Sequence, residues 1–515
     1  MHSTHAHSCI LRVLPEELIC AIFHELDITT VLCGCQPVCR FFSAIIKNDL
    51  HLQYKAELLL AGMEDGLQSP LGVADRLELL RKHQRNWRNM HWTEPTPITT
   101  AANINESRVQ IACDVVSRTI SYTGLAFAQI PSKYRCIPGK EWTLEDLGFD
   151  IDCWEIDPSQ DLLVVLDSSL ATEIKLHVLS LSTGRPRHSN PTLVLHSAFE
   201  EGSSFHTICI CGHLIGILSL DNFWEAHSPV ELLVLDCITG DEILRKTGQI
   251  EGLAFLADDL FMIATPKDRS FALEVYKLRH PTSDPPASQN PESPLCSFLL
   301  PRVHSDKDLT QLQLLSDLAQ SWRSPSSHAV PFHSANHGIL TLQIVGADED
   351  RRASIDVLCY ISVDGLLDRV SRVRGNSSSG HAFPWEDWGP ETCRWFDRAG
   401  VRMIGHAHST RGVRFSSFHE FYVYDFNPRA VRHALAFPHR LDGGTQIVTD
   451  STTTDELRKI FPNPVITSLP YLVKKFTIPF DPLGIPPFRS IYASEDTLVF
   501  VPQHAEEGTS SVLAL

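Results

Sequence analysis

Leu176–Gly184 reads LHVLSLSTG and Leu232–Gly240 reads LLVLDCITG. Each is an apolar, β-branched run closed by Thr-Gly, the pattern of a strand followed by a tight turn in which Gly supplies the positive φ. Weaker copies follow at Leu273–Leu278 (LEVYKL), Ile355–Gly365 (IDVLCYISVDG) and Phe421–Pro428 (FYVYDFNP). Val178, Val234, Val275, Val357 and Val423 hold the same place in each copy, at irregular separations. A second strand-like run precedes most copies: IDPSQDLLVVL ending at Leu166, LAFLADDLFMIA ending at Ala264 and RAGVRMIG ending at Gly405. ASEDTLVFVP, ending at Pro502, leads into a terminal SSVLAL, and Arg108–Gly124 supplies a further unit. A recurring two-strand unit of this length predicts a radial β-array, an all-β propeller-like domain over residues 96–515 with about six or seven blades. An irregular sandwich, or two smaller β-domains, is the alternative arrangement.

Two stretches interrupt the pattern. Pro281–Pro294 (PTSDPPASQNPESP) and Arg374–Gly380 (RGNSSSG) are rich in breakers, and each reads as an exposed loop or a disordered insertion. Leu309–Trp322 (LTQLQLLSDLAQSW) fits a short amphipathic helix and a strand with a turn equally well.

Residues up to about Trp92 have helical rather than strand periodicity. Leu14–Leu26 reads LPEELICAIFHEL, with Pro15 in the first turn, where its missing N–H costs nothing, and Glu16 and Glu17 at the positive end of the helix dipole. Leu14, Leu18, Ile22 and Leu26 fall four apart as one apolar stripe, with Ile19 and Phe23 as a second beside it. So wide an apolar face requires burial on two sides, against its own neighbours and against something else. QPVCRFFSAII (Gln36–Ile46) supplies further apolar residues.

LPEELICAIFHELD followed by QPVCRFFSAII resembles the F-box, whose pattern is Leu-Pro-x-Glu-Leu, then Ile-x-x-x-Leu, then Val-Cys-Arg-x-Phe or Trp. His51–Gly66 and Arg76–Trp92 are similar to the helices that follow the F-box in a large group of fungal F-box proteins with a β-rich, propeller-like C-terminal region. The resemblance implies a multidomain α+β chain: a flexible tail at 1–10, an all-α F-box at 11–50, a helical linker at 51–95 acting as a rigid spacer, then the β-domain. It further implies a substrate receptor of an SCF-type cullin ubiquitin ligase, working in the cytoplasm or nucleus. The F-box would dock on the SKP-family adaptor through Leu14, Pro15, Leu18, Ile22, Leu26, Val38, Cys39 and Phe42, and the β-domain would hold a protein target of unknown identity. An adaptor-binding scaffold without a role in ubiquitylation is one alternative, and a β-propeller hydrolase of carbohydrate or lactone chemistry another. Gly34 departs from the family's Leu-rich middle helix and Pro37 requires a helix junction, which together lower the expected adaptor affinity.

The composition agrees with an ordinary globular chain. The 515 residues are 43% hydrophobic and 21% charged, and 62 Asp and Glu against 44 Lys and Arg leave a formal charge of −18. Such a chain is not drawn as a whole to phosphate backbones or anionic lipid, so neither nucleic acid nor membrane is an expected partner. No apolar run reaches the roughly 20 residues of a membrane span, and the N-terminus lacks a secretory pattern, so the 14 Cys read as reduced. The helix over Ala74–Met90 places Leu77, Leu80, Gln84 and Trp87 at core spacing and Arg76, Arg81, Lys82, Arg85 and Arg88 on a solvated face. Cys33, Cys35 and Cys39 lack a second pair at zinc spacing, and His5/His7 and His406/His408 are isolated pairs, so no metal or other cofactor is expected. No nucleotide-binding glycine loop, GxSxG or HExxH is present, so no catalytic residues are assigned.

Overall fold

The computed structural model describes residues 14–66, 69–89, 96–99, 109–170, 173–187, 192–196, 205–220, 230–267, 270–278, 293–304, 307–315, 330–335, 338–348, 354–374, 380–397, 404–405, 407–417, 420–441, 443–477, 488–502 and 509–514. Among these, the strands form seven sheets of four or five strands each and one small sheet of two. Blade 1 starts at Val109–Ala112, blade 2 at Cys153–Asp157, blade 3 at Phe205–Cys211 and blade 4 at Gly252–Ala257. Blades 5, 6 and 7 start at Lys307–Leu315, Ala407–His408 and Phe488–Ala493. Each blade touches the next, and apolar packing of Val116 and Ile130 against Val499 joins blade 7 to blade 1. Consecutive sheets that meet in sequence order and return to the first make a closed β-propeller.

The five valines identified from sequence all lie on the third strand of their blades, and all are buried, four of them almost completely. Each is paired to the second strand, for example Val178 to Val164 and Val423 to Val413. RAGVRMIG does not supply the second strand of blade 6. That strand is Arg411–Ser417, while Ile404–Gly405 pairs in parallel with Ser490–Ile491 of blade 7. The β-domain is also not all-β. Helices α6 (Val363–Arg374) and α7 (Trp385–Thr392) are inserted between the third and fourth strands of blade 5, and α8 (Pro428–Ala436) and α9 (Asp455–Ile460) lie within blade 6. These insertions account for part of the irregular repeat spacing. Leu309–Leu315 belongs to a strand, Lys307–Leu315, and 316–322 lie outside the described residues.

Blade 7 is completed by Thr96–Thr99, which pairs antiparallel with Thr509–Ala514, so that both ends of the β-region share one sheet. The breaker-rich 281–292, like 375–379 and the tail 1–13, lies outside the described residues. Its flanks, Ser270–Lys277 and Cys296–Leu299, are neighbours in one sheet. Proteolytic cleavage there, where composition favours attack, is therefore expected to leave both fragments associated through gel filtration without denaturant. Fragments that separate would contradict a closed ring.

The N-terminal helices are α1 (Glu16–Glu25), a short α2 (Ile28–Thr30) that widens into a π-turn (Val31–Cys35), α3 (Arg40–Asn48), α4 (Leu50–Ala61) and α5 (Val73–Asn89). Gly34 sits in the π-turn, and Pro37 lies in the turn before α3, at a helix junction as its chemistry requires. α4 and α5 are not a free spacer, because they pack on the propeller. Met63–Asp65 pairs with Phe332–Ser334, which follows the first strand of blade 5 in the chain, in a separate two-stranded sheet, and the Tyr54 hydroxyl donates to the Pro331 carbonyl at 2.8 Å. Gly66 lies so close to the Val330 carbonyl that a Cβ would overlap it. Asn427 Nδ2 donates to the Leu60 carbonyl at 2.9 Å, tying α4 to blade 6.

Candidate docking surface and its anchorage

The helical module divides its apolar residues between two faces. Ile19, Phe23, Val31, Phe42, Ile45, Ile46 and Leu52 form its core, with Phe23 and Phe42 in an edge-to-face contact at 5.1 Å. Leu14 and Leu26 pack partly against that core. On the other side of α1, Leu18 and Ile22 are each 51% exposed, Val38 is 61% exposed, and Pro15 and Cys39 lie open as well. Exposed apolar side chains grouped on one helical module are the kind of surface that partners cover.

Phe42, expected on the partner-facing side, instead fills the module's own core. Cys39 has a structural part besides its exposure, since its Sγ accepts the Phe42 N–H at 3.4 Å and caps α3. Sequence reading passed over Phe41, 44% exposed, and Leu50, 50% exposed. Periodicity gave no clear signal for Phe41: it stands four residues before the buried Ile45, at the flank of the stripe of Phe42, Ile45 and Ile46. Asp49 joins α3 to α4 by accepting the Leu52 N–H at 2.9 Å and lying 3.0 Å from His24 Nε2. Burial works against its charge, but these partners outweigh it and hold the carboxyl below the usual range.

The anchorage of the module is polar and buried. His83, not Gln84, is the fourth buried residue of α5, alongside Leu77, Leu80 and Trp87. Trp87 Nε1 donates to the Glu495 carbonyl at 2.8 Å, and His83 Nε2 reaches the same oxygen at 3.1 Å. His83 Nε2 also lies 2.8 Å from Asp496 Oδ1. The Arg411 guanidinium stacks over the Trp87 ring at 4.6 Å.

Beneath α5, the inner hairpin turns of blades 1 and 7 meet. Asp114 stands at positive φ in the two-residue turn of blade 1, and Ser494 to Thr497 span the corresponding turn of blade 7. Arg135, only 1% exposed, donates through Nε to Asp496 at 2.6 Å and pairs with Asp114 through its other end. Thr497 Oγ1 donates to Asp114 at 3.2 Å, and Ser494 also reaches that carboxylate. His408 Nε2 lies 3.3 Å from Glu495 Oε2. One cluster thus fastens the seam of the ring and seats α5 upon it.

One constellation has the look of catalysis. His206 Nδ1 lies 2.9 Å from Ser219 Oγ, and its Nε2 lies 3.6 Å from Asp152. Ser219 and His206 are 4% and 3% exposed, however, and sit opposite each other on paired strands of blade 3, so the hydroxyl is closed to a substrate. Among the described residues, no group of three or more His, Cys, Asp or Glu stands ready for a metal. No described helix is long and apolar enough to cross a membrane.

Strand pairing, ring closure and the exposed helical face define the class: a β-propeller with a helical module fixed to it. No family model and no curated protein matches the chain. Solved structures with some likeness include the WD40 domain of SCAP from fission yeast, 10% identical over 83% of this chain and 95% of that one, at a TM-score of 0.36. The polysaccharide lyase Uly1 is 8% identical over 84% and 95%, at 0.35, and a chain of the mitotic checkpoint complex 9% over 82% and 95%, at 0.33. Likenesses this distant carry no argument, and the propeller assignment rests on the strand pairing.

Proposed function

We propose that this chain is a substrate receptor of an SCF-type ubiquitin ligase, docking on a SKP-family adaptor through Leu18, Ile22, Val38 and their neighbours and holding a protein target on the propeller. The observation that carries the reading is the division of the F-box-like segment: Ile19, Phe23 and Phe42 are buried, while Leu18, Ile22 and Val38 stand exposed. A motif that served only to pack a small bundle would have no use for an uncovered apolar face. The seating of α4 and α5 on blades 5 to 7 supports the mechanism. A receptor needs no catalysis of its own; it holds a target at a fixed place relative to the ubiquitin donor and so raises the local concentration of reactive groups. The sites of such work are the cytoplasm and nucleus.

The anchorage changes how the reading is tested. Removing every residue before the β-domain would strip α5 from the ring seam and expose the buried charges of Arg135, Asp114 and Asp496. The full chain carrying Leu18→Asp and Ile22→Asp is the better ligase-dead form, because both positions are exposed. Target proteins co-purified with the native chain should be captured equally by this variant, and their cellular half-life should lengthen when it is expressed. The native chain should shorten that half-life, and a proteasome inhibitor should restore it. Equal half-lives with native chain, variant and neither would replace the receptor by a non-degradative, adaptor-bound scaffold.

A further inference from the structure

The helix α8 carries an exposed face that the adaptor reading leaves unused. Asn427 caps it, accepting the Arg429 N–H at 2.9 Å and the Ala430 N–H at 3.3 Å, and Val431 and Ala434 are buried beneath it. At 100° per residue, Arg429 and Arg432 lie on the opposite side, with Leu435 on the flank beside Arg432. Both arginines are exposed, Leu435 is 52% exposed, and Phe437, just past the helix end, is 40% exposed. Neither Arg429 nor Arg432 forms an ion pair among the described residues; Arg432 Nε turns back to the Pro428 carbonyl at 3.2 Å. From Phe426 to Leu441 the sequence holds three Arg and two His and no Asp or Glu, in a chain of net charge −18.

We infer that this face of α8 is a docking site for an acidic peptide segment bearing bulky apolar side chains, supplied by the protein that the propeller recruits; the identity of that supplier rests on the receptor reading. Charge complementarity selects the occupant. Guanidinium groups without carboxylate partners among the described residues favour carboxylates, whereas Leu435 stays exposed unless the ligand carries apolar groups as well. A membrane or a nucleic acid fits less well. Such a ligand presents charge over a broad area and would meet the field of a strongly acidic chain, whereas a short peptide needs only this one helix face. Well-capped and packed on its inner side, α8 presents the face in a fixed orientation, which limits the ordering cost on the protein's side.

The test uses the full-length protein and fluorescein-labelled synthetic peptides that repeat Glu-Glu-Leu-Phe, Gln-Gln-Leu-Phe or Lys-Lys-Leu-Phe. Fluorescence anisotropy should show binding of the Glu peptide, at least tenfold weaker binding of the Gln peptide and none of the Lys peptide. Arg429→Glu with Arg432→Glu should weaken the Glu peptide at least tenfold, as should Leu435→Asp, and added salt should weaken it in the native protein. Leu18→Asp with Ile22→Asp should leave peptide binding unchanged, and the α8 variants should leave adaptor binding unchanged, so the two readings fail separately. Equal affinity for the Glu and Gln peptides, or indifference to the arginine reversals, would overturn the proposal. So would preferential binding to phosphatidylserine vesicles or to RNA through the same residues.

Discussion

Replacing Leu18 and Ile22 together by Asp is expected to weaken binding to a SKP-family adaptor by more than about a thousandfold. Each aliphatic side chain contributes about 1.5–3 kcal/mol when it passes from water into a contact, and a carboxylate pressed into the same apolar site without a partner adds a penalty of its own. The folded monomer should not notice the change. Both side chains are half-exposed, so the thermal midpoint should stay near the native value, as for most surface substitutions. Phe23→Ala supplies the contrast: that ring is buried against Phe42, and its loss should destabilise the module by about 3–5 kcal/mol. Isothermal titration against the purified adaptor, with circular dichroism of each variant, separates the two effects. Native affinity in the double variant would defeat the docking assignment.

Arg135→Met should be among the most destabilising single substitutions in the chain, costing about 3–5 kcal/mol, because it leaves Asp114 and Asp496 buried without their cation. Arg81→Ala, which breaks a partly exposed pair with Glu57, should cost under about 1 kcal/mol. Urea denaturation of the two variants checks the ordering, and equal losses would mean that the seam cluster contributes little. Its pH dependence has a definite sign. Burial disfavours the charges of Glu495 and Asp496, but His408 for the first and Arg135 for the second outweigh it and hold both carboxyls far below their ordinary range. The unfolded chain therefore binds more protons in acid than the folded one. The stabilisation is complete above about pH 4.5, past the ordinary carboxyl values, and is lost as pH falls from there toward the folded values. The urea midpoint of the native protein should accordingly drop on acidification below about pH 4.5, with a shallower drop in Asp496→Asn. Parallel curves for the two proteins would count against these carboxylates as the source.

The linear sequence determined what depends on near neighbours. Strand and turn were legible in LHVLSLSTG and LLVLDCITG because alternation and a Thr-Gly turn act within a few residues, and the repeated valines marked the third strands for the same reason. The order of apolar residues in Leu14–Leu26 gave α1 its two stripes. Which stripe is buried was decided elsewhere, by the packing of Phe42, Ile45 and Ile46 from α3 against Ile19 and Phe23. Contacts between distant segments had no local signal. Thr96–Thr99 completes the last blade beside Thr509–Ala514, and His83 meets Asp496 across 413 positions of chain. A polar residue such as His83 reads as surface by composition, yet it is buried because one carbonyl and one carboxylate on a remote turn satisfy it. Local preferences act through the bonds of adjacent residues, whereas the ring seam exists only once the chain has closed on itself. Tertiary structure therefore decided the closure of the propeller and the seating of the helical module, and left Leu18 and Ile22 facing outward.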